Sequence, residues 1–232
     1  MRGFKTNLQH LAIWAGIVFF LAACGNEGTT TDETTTTEDT ADMATDDMMQ
    51  DTTMMGGGQM GGMMGHMHQN MQKMRGVRTQ MTGDPDYDFA LMMIHHQQAG
   101  IRMADEEIAN GTDSELKEIA QRIKQSNQTD IQKLQAFTSK HTPTKGDTAT
   151  TMRMMHPMNR MMQQMHQQDM SNMSTDQNFA TMMIHHHLMG NEIAKEYLKT
   201  GKTQEMKQLA QKTIDQQNKE IKELEVWQQQ NK

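Results

Sequence analysis

The chain has 232 residues, a net charge of −7, 29 Met, one Cys and an aromatic content of 4%. The acidic balance gives no electrostatic footprint for nucleic acid, and a single Cys excludes an intramolecular disulfide framework. Methionine is the outlier: it is a flexible, polarizable core filler, and its thioether is also a soft metal ligand.

Arg2 and Lys5 precede a short apolar run from Leu11 to Ala23. The pattern reads as a secretory signal and is too short for a convincing spanning helix. The run ends in Leu21-Ala22-Ala23-Cys24-Gly25, which resembles the lipobox of bacterial lipoproteins. That resemblance implies cleavage after residue 23, lipidation of Cys24, and a mature chain tethered by acyl chains outside the cytoplasmic membrane. Loss of the leader removes Arg2 and Lys5 but no acid, so −7 becomes −9.

Gly25 to Thr53 is Thr, Asp and Glu with almost no large apolar residue. Such a segment cannot bury enough surface to offset its ordering entropy and reads as a disordered acidic tether. A Gly-Met-His tract follows, from Met54 to His68. Its glycine density argues against a helix, so thioethers and imidazoles on a flexible backbone are expected there, with a short helix beginning near Met67 and continuing through Met71 and Met74. A second Met-rich tract runs from Met152 to Met173. In it Met158, Met161, Met162 and Met165 share a helical face. These stripes serve equally as the apolar side of packing helices or as metal-capturing thioethers. Candidate accessory ligands are His66, His68, Met67, Met71, Met74, His156, Met158, Met161, Met165 and His166, together with His187 further on.

The dominant feature is a repeat. Phe89-Ala90-Leu91-Met92-Met93-Ile94-His95-His96 recurs as Phe179-Ala180-Thr181-Met182-Met183-Ile184-His185-His186, and the 90-residue offset persists to Phe137 and Trp227 without a gap. Repeats of this length fix architecture. Asp84-Pro85 starts a helix that Asn110-Gly111 stops; Thr112-Asp113-Ser114-Glu115 reads as a capping box opening the next, which fades before Pro143. Ser174-Thr175-Asp176-Gln177, Gly201 and the stripe from Met206 to Trp227 repeat the logic. Strand signals are absent, and connections this short make each helix pair antiparallel. The expected fold is all-α, a four-helix bundle of two duplicated hairpins. The chain thus divides into a signal peptide (1–23), a linker (24–66), a first hairpin with Met-rich lead-in (67–142) and a second (143–232).

Steps of three and four place His96 on a buried stripe with Phe89, Met93, Gly100 and Met103, and His186 on the equivalent stripe with Phe179, Met183 and Gly190. His95 and His185 fall near the stripe's edge, with Met92 before the first and Met182 and Met189 around the second. One buried His is usually a satisfied core residue. Two doublets flanked by Met, on helices that face each other, point to metal ligation by His95, His96, Met92, Met93, Met103, His185, His186, Met182, Met183 and Met189. Thioether with imidazole suits copper, Cu(I) in particular, and silver by the same softness. Zinc calls for thiolates or carboxylates beside His, and the nearby Glu106, Glu107, Glu192 and Glu196 read as solvent-facing charges. Di-iron bundles need Glu-x-x-His motifs, and none occurs.

Met-Met-Ile-His-His, followed by Ala104 or Ala194, a Leu/Ile-Ala pair and a Gln/Asn-rich helix ending in an aromatic, resembles the DUF305 domain over about residues 84–232. The resemblance implies a ferritin-like bundle and extracytoplasmic copper binding, with His95, His96, Met103, His185 and His186 at the family's ligand positions. Ile94 and Ile184 stand where members commonly have Pro, and Ile193 stands where the family's second Met would recur. The expected function is a membrane-anchored lipoprotein that buffers or sequesters copper without catalysis and hands it to a copper-handling partner or stores it. A metal-dependent oxidoreductase and a metal-free interaction bundle are the alternatives. A thioether does not titrate, so Met sites are expected to hold Cu(I) in mild acid while His sites weaken.

Overall fold

The computed structural model describes residues 62–158, 160, 163, 170 and 172–231. The leader, Cys24, the acidic tether, Met161, Met165 and His166 lie outside the described residues. Those described belong to one compact unit, Gly57–Lys232, and are entirely helical or irregular, with no strand among them.

The helices are α1 (Gly62–Arg78), α2 (Pro85–Asn110), α3 (Ser114–Lys140), a short α4 (Thr148–Met152) leading into a 3-10 turn at Arg153–Met155, then α5 (Thr175–Thr200) and α6 (Gln204–Gln230). α2 pairs with α3 and α5 with α6 as hairpins; the two hairpins meet chiefly through α2 and α5, and α1 lies along α2. Asp84 caps α2 through the amides of Asp86 and Tyr87, with Pro85 in the first turn, as its sequence dictates. Ser174 and Gln177 form the expected capping box on α5. The box expected at Thr112 is not formed. Asp113 caps α3 instead, because Thr112 is drawn into a contact between the hairpins.

α1 departs most from expectation. It begins at Gly62 and takes in Gly65, His66, Met67 and His68, residues expected to be flexible or at most at the very start of a helix. Met63, Met67, Asn70, Met74 and Val77 are all buried along one face. Burial of that face against α2 outweighs the glycine penalty, which is only about 1 kcal/mol per residue.

The hairpins are laced at both ends by a pair of equivalent aspartates. Asp86 reaches to the α5–α6 turn, accepting from the Lys202 and Thr203 amides (2.9 and 3.0 Å), the Thr203 hydroxyl and the Tyr197 hydroxyl (2.6 Å). Asp176 reaches to the α2–α3 turn, accepting from the Thr112 and Asp113 amides (both 2.9 Å) and the Thr112 hydroxyl (2.7 Å). Tyr197, stacked on Phe89 at 4.0 Å, corresponds in the repeat to Glu107.

Glu107 is fully buried, which corrects its reading as a solvent-facing charge. Burial first, then hydrogen bonding and charge from Asp176, push its carboxyl up to about 8. The protonated acid thus stands where the Tyr197 hydroxyl stands at the other end, a donor to aspartate. A carboxyl raised in the folded state holds a proton that the unfolded chain has lost above its ordinary value of about 4.3. Stability from this group therefore declines as pH rises from there to about 8. Glu107→Gln keeps a donor and removes the titration. We expect urea unfolding at pH 5 and pH 8 to show the variant less pH-dependent than wild type, by roughly 2 kcal/mol after discounting for water near the turn. Identical pH dependence in both would refute the assignment.

Candidate metal centre

Midway along α2 and α5 the chain places its chemistry on the line where the hairpins meet. His96 and His186 are 0% and 1% exposed. Their rings stack with centroids 3.8 Å apart and planes 8° from parallel. Two glycines make this possible. A Cβ at Gly190 would lie 2.5 Å from His96 Nε2, and one at Gly100 would lie 3.1 Å from His186 Nε2 and 2.6 Å from the Asn127 amide. The repeat thus supplies, on each helix, one imidazole and, four residues on, the hollow that receives the other.

A third imidazole joins them. His187 is fully buried, its ring 6.0 Å from that of His186 and tilted by 47°. Its Nε2 lies 2.9 Å from Glu220 Oε2, yet neither ring nitrogen has a properly aligned hydrogen-bond partner within the protein. The same holds for both nitrogens of His96 and of His186. Each such buried group costs about 1–3 kcal/mol when unsatisfied, and six in one place are not explained by packing.

Burial pushes His96 down to about 3, with the nearby His187 adding to the effect. Burial likewise holds His186 well below the usual imidazole range, helped by His96, His187 and Arg102. Burial thus favours the neutral form of both rings, which carries a lone pair.

The candidate thioethers are buried as well. Met92, Met93, Met103, Met182, Met183 and Met189 are all buried within one apolar cluster, which Met67 and Met74 of α1 and Met158 also join. Helical spacing sets Met92 and Met93 one turn before His96, and Met182 and Met183 one turn before His186. His95 and His185 are half-buried at the edge of the stripe, and burial lowers both below the usual imidazole value. His66 lies 3.6 Å from Glu106, His68 meets Gln72 at 3.1 Å, Met71 is half-buried and His156 is exposed. Among the described residues no three His, Cys, Asp or Glu side chains converge on one point, so any site here draws on thioethers or on a turn of the rings.

Both hairpins match the family model for the domain of unknown function DUF305, over residues 22–138 and 136–228. The chain belongs to the DUF305 family. A search of curated proteins found no match. Among solved structures, CopM in the Ag-bound form (by soaking) is similar with 24% identity and a TM-score of 0.48, covering 62% of this DUF305 chain and 95% of that one. CopM in the Cu(I)-bound form gives 24% identity, a TM-score of 0.47, and coverage of 62% and 96%.

The sequence located the stacked pair through its helical register. It ranked His187 only as an accessory candidate and missed Glu220. The signal was present in the repeat, which has Gln97 and Asp130 at the corresponding positions.

Proposed function

We propose that this DUF305 protein is an extracytoplasmic lipoprotein that binds copper as Cu(I), and silver by the same chemistry, to buffer or sequester it. The observation that carries the reading is the cluster of buried imidazoles with no aligned hydrogen bond at any ring nitrogen, on helices that also carry buried Met side chains one turn before His96 and His186. Neutral imidazole with thioether is a soft donor set, and copper(I) is the ion that prefers it. The four long helices form a ferritin-like four-helix bundle in this reading, with α1 as a cover.

Two imidazoles bonded to one ion at about 2.0 Å hold their ring centres roughly 5 Å apart at a tetrahedral angle. The stacked pair at 3.8 Å is too close for that. Either one ring turns on binding, or His96 and His186 each serve an ion with thioethers of their own helix. The lipobox-like segment at Cys24 supplies the anchor, the acidic stretch after it the tether, and the Gly-Met residues before α1 a capture arm. Among the described residues no helix is long and apolar enough to cross a membrane. A copper-handling partner protein receives or delivers the ion.

Anaerobic titration with Cu(I) against a competing chelator tests the reading. Wild type is expected to bind tightly, and a variant with His95, His96, His185 and His186 changed to Ala to bind at least tenfold more weakly. Equal binding in both would move function to the Met tracts. No binding in either would leave a Met-packed scaffold.

A further inference from the structure

Gln217 interrupts the apolar stripe of α6 between Ile214 and Ile221, and it is only 4% exposed. Its Oε1 is buried with no hydrogen-bond partner among the described residues. A carbonyl left so costs about 1–3 kcal/mol, and packing alone does not account for an amide at this place. A Cβ at Gly190 would lie 2.7 Å from Gln217 Oε1 and 2.5 Å from His96 Nε2. The glycine hollow therefore receives two polar atoms at once, one from α6 of its own hairpin and one from α2 of the other. Both lack a partner, and their chemistry is complementary: the carbonyl oxygen accepts, and a neutral imidazole nitrogen that carries hydrogen donates. The last torsion of a Gln side chain is soft, so the carboxamide can turn to meet the ring. Asn127 is the equivalent residue in the first hairpin, shorter by one methylene. There the amide nitrogen comes nearest, 2.6 Å from the Cβ position at Gly100, with His186 Nε2 at 3.1 Å. A nitrogen donor cannot hold a proton on the ring, so the two hollows are alike in shape and opposite in polarity.

We propose that Gln217 is a positioning residue of the metal centre: its carbonyl oxygen accepts from Nε2–H of His96, fixes that tautomer, and leaves Nδ1 as the nitrogen that binds the soft ion. This role rests on the reading of the core as a Cu(I) and Ag(I) site, and it adds which atom of His96 serves and what selects it. A ligand histidine ordinarily donates its other N–H to an acceptor, which holds the ring's orientation and raises the basicity of the bound nitrogen. Gln217 supplies that acceptor from a different helix. Nδ1 is bonded to the ring carbon that joins the side chain, so an ion there stands close to α2, which carries Met92 and Met93 one turn earlier. The assignment favours an ion held by His96 with thioethers of its own helix over one shared between the stacked rings.

The test is nuclear magnetic resonance of the full chain with isotope-labelled histidine rings, the His96 signals being those lost in His96→Leu. Long-range proton–nitrogen correlations tell the two neutral tautomers apart, and one-bond coupling to bound Ag(I) identifies the nitrogen on the ion. Wild type is expected to show Nε2–H at His96 in the metal-free chain and silver coupling at Nδ1. Gln217→Leu removes the acceptor, and the metal-free tautomer is expected to change while Ag(I) and Cu(I) affinity falls about tenfold. Gln217→Glu keeps an acceptor oxygen and is expected to restore coupling at Nδ1, with affinity within about threefold of wild type. Far-ultraviolet dichroism establishes that each variant folds, and the wild-type spectrum decides the ligand atom without any variant. Silver coupling at Nε2 of His96 in wild type would overturn the proposal. So would a Gln217→Leu chain that shifts only in melting temperature, with tautomer, coupling and affinity unchanged, since that is what a merely structural amide predicts. A wild type that binds neither ion but shows a His96 Nε2–H tautomer dependent on Gln217 would uphold the positioning role and overturn the copper reading alone. Neither metal binding nor that dependence would overturn both.

Discussion

Replacing both stacked histidines, His96→Leu with His186→Leu, is expected to lower Cu(I) affinity by about a hundredfold or more while raising the melting temperature of the metal-free protein. The two effects share one cause. Each ring is buried with both nitrogens lacking a hydrogen bond, and each group left so costs about 1–3 kcal/mol. Leucine is close in volume to imidazole and carries no polar atom, so the substitution removes the penalty while filling most of the space. Calorimetry without metal separates the two roles open to these residues. Histidines kept for packing would destabilise on replacement, and a fall in melting temperature of several degrees would count against the metal centre. Histidines kept for a ligand leave a more stable and emptier protein. With Cu(I) present the order is expected to reverse, because only wild type gains stabilisation by mass action.

The largest loss of stability is expected at Asp86, in the first turn of α2 and well away from the stacked rings. Asp86→Ala removes the acceptor for the Tyr197 hydroxyl, the Lys202 and Thr203 amides and the Thr203 hydroxyl in one step. It also strands the buried Tyr197 hydroxyl beneath the stack with Phe89. Hydrogen bonds to a charged group are worth about 1.5–3 kcal/mol each but share their geometry, so a total near 4 kcal/mol is the reasonable expectation. Asp176→Ala is expected to cost nearly as much, because it breaks the equivalent bonds to Thr112 and Asp113 and takes the acceptor away from the protonated Glu107. Urea unfolding at pH 7 checks this; a cost under half that of Asp86→Ala would mean that Glu107 does not donate to Asp176. The bonds to Asp86 also hold its carboxyl below the usual carboxylate range against burial. Its contribution is thus present above the unfolded value and lost as pH falls through the folded one.

How much of this was legible in the chain depends on whether the signal was local. Asp84-Pro85, Ser174 with Gln177 and the stripe through Phe89, Met93 and His96 are local patterns, and the helices start and the imidazoles point as those patterns require. α1 was misread because glycine counts against a helix locally, while the burial of Met67 and Met74 that holds this one together comes from α2. Thr112 looked like a cap because nothing nearby shows Asp176 arriving from 64 residues away. His187 and Glu220 lie on different helices, and only the register of α5 against α6 brings them together. The repeat could have flagged them, because the positions where its halves disagree are those freed from a shared structural role.

The reciprocal seating of each imidazole over the other helix's glycine has a meaning for ancestry. A single hairpin paired with its own copy about a twofold axis would already place two identical histidines face to face, each over the partner's glycine. Joining the copies end to end fixed that symmetric centre and released the flanks from it. One half could then keep Gln97 and a lysine-bound Asp130 while the other carries His187 with Glu220 beside it. Such a history leaves the oldest chemistry on the axis and the newer chemistry beside it.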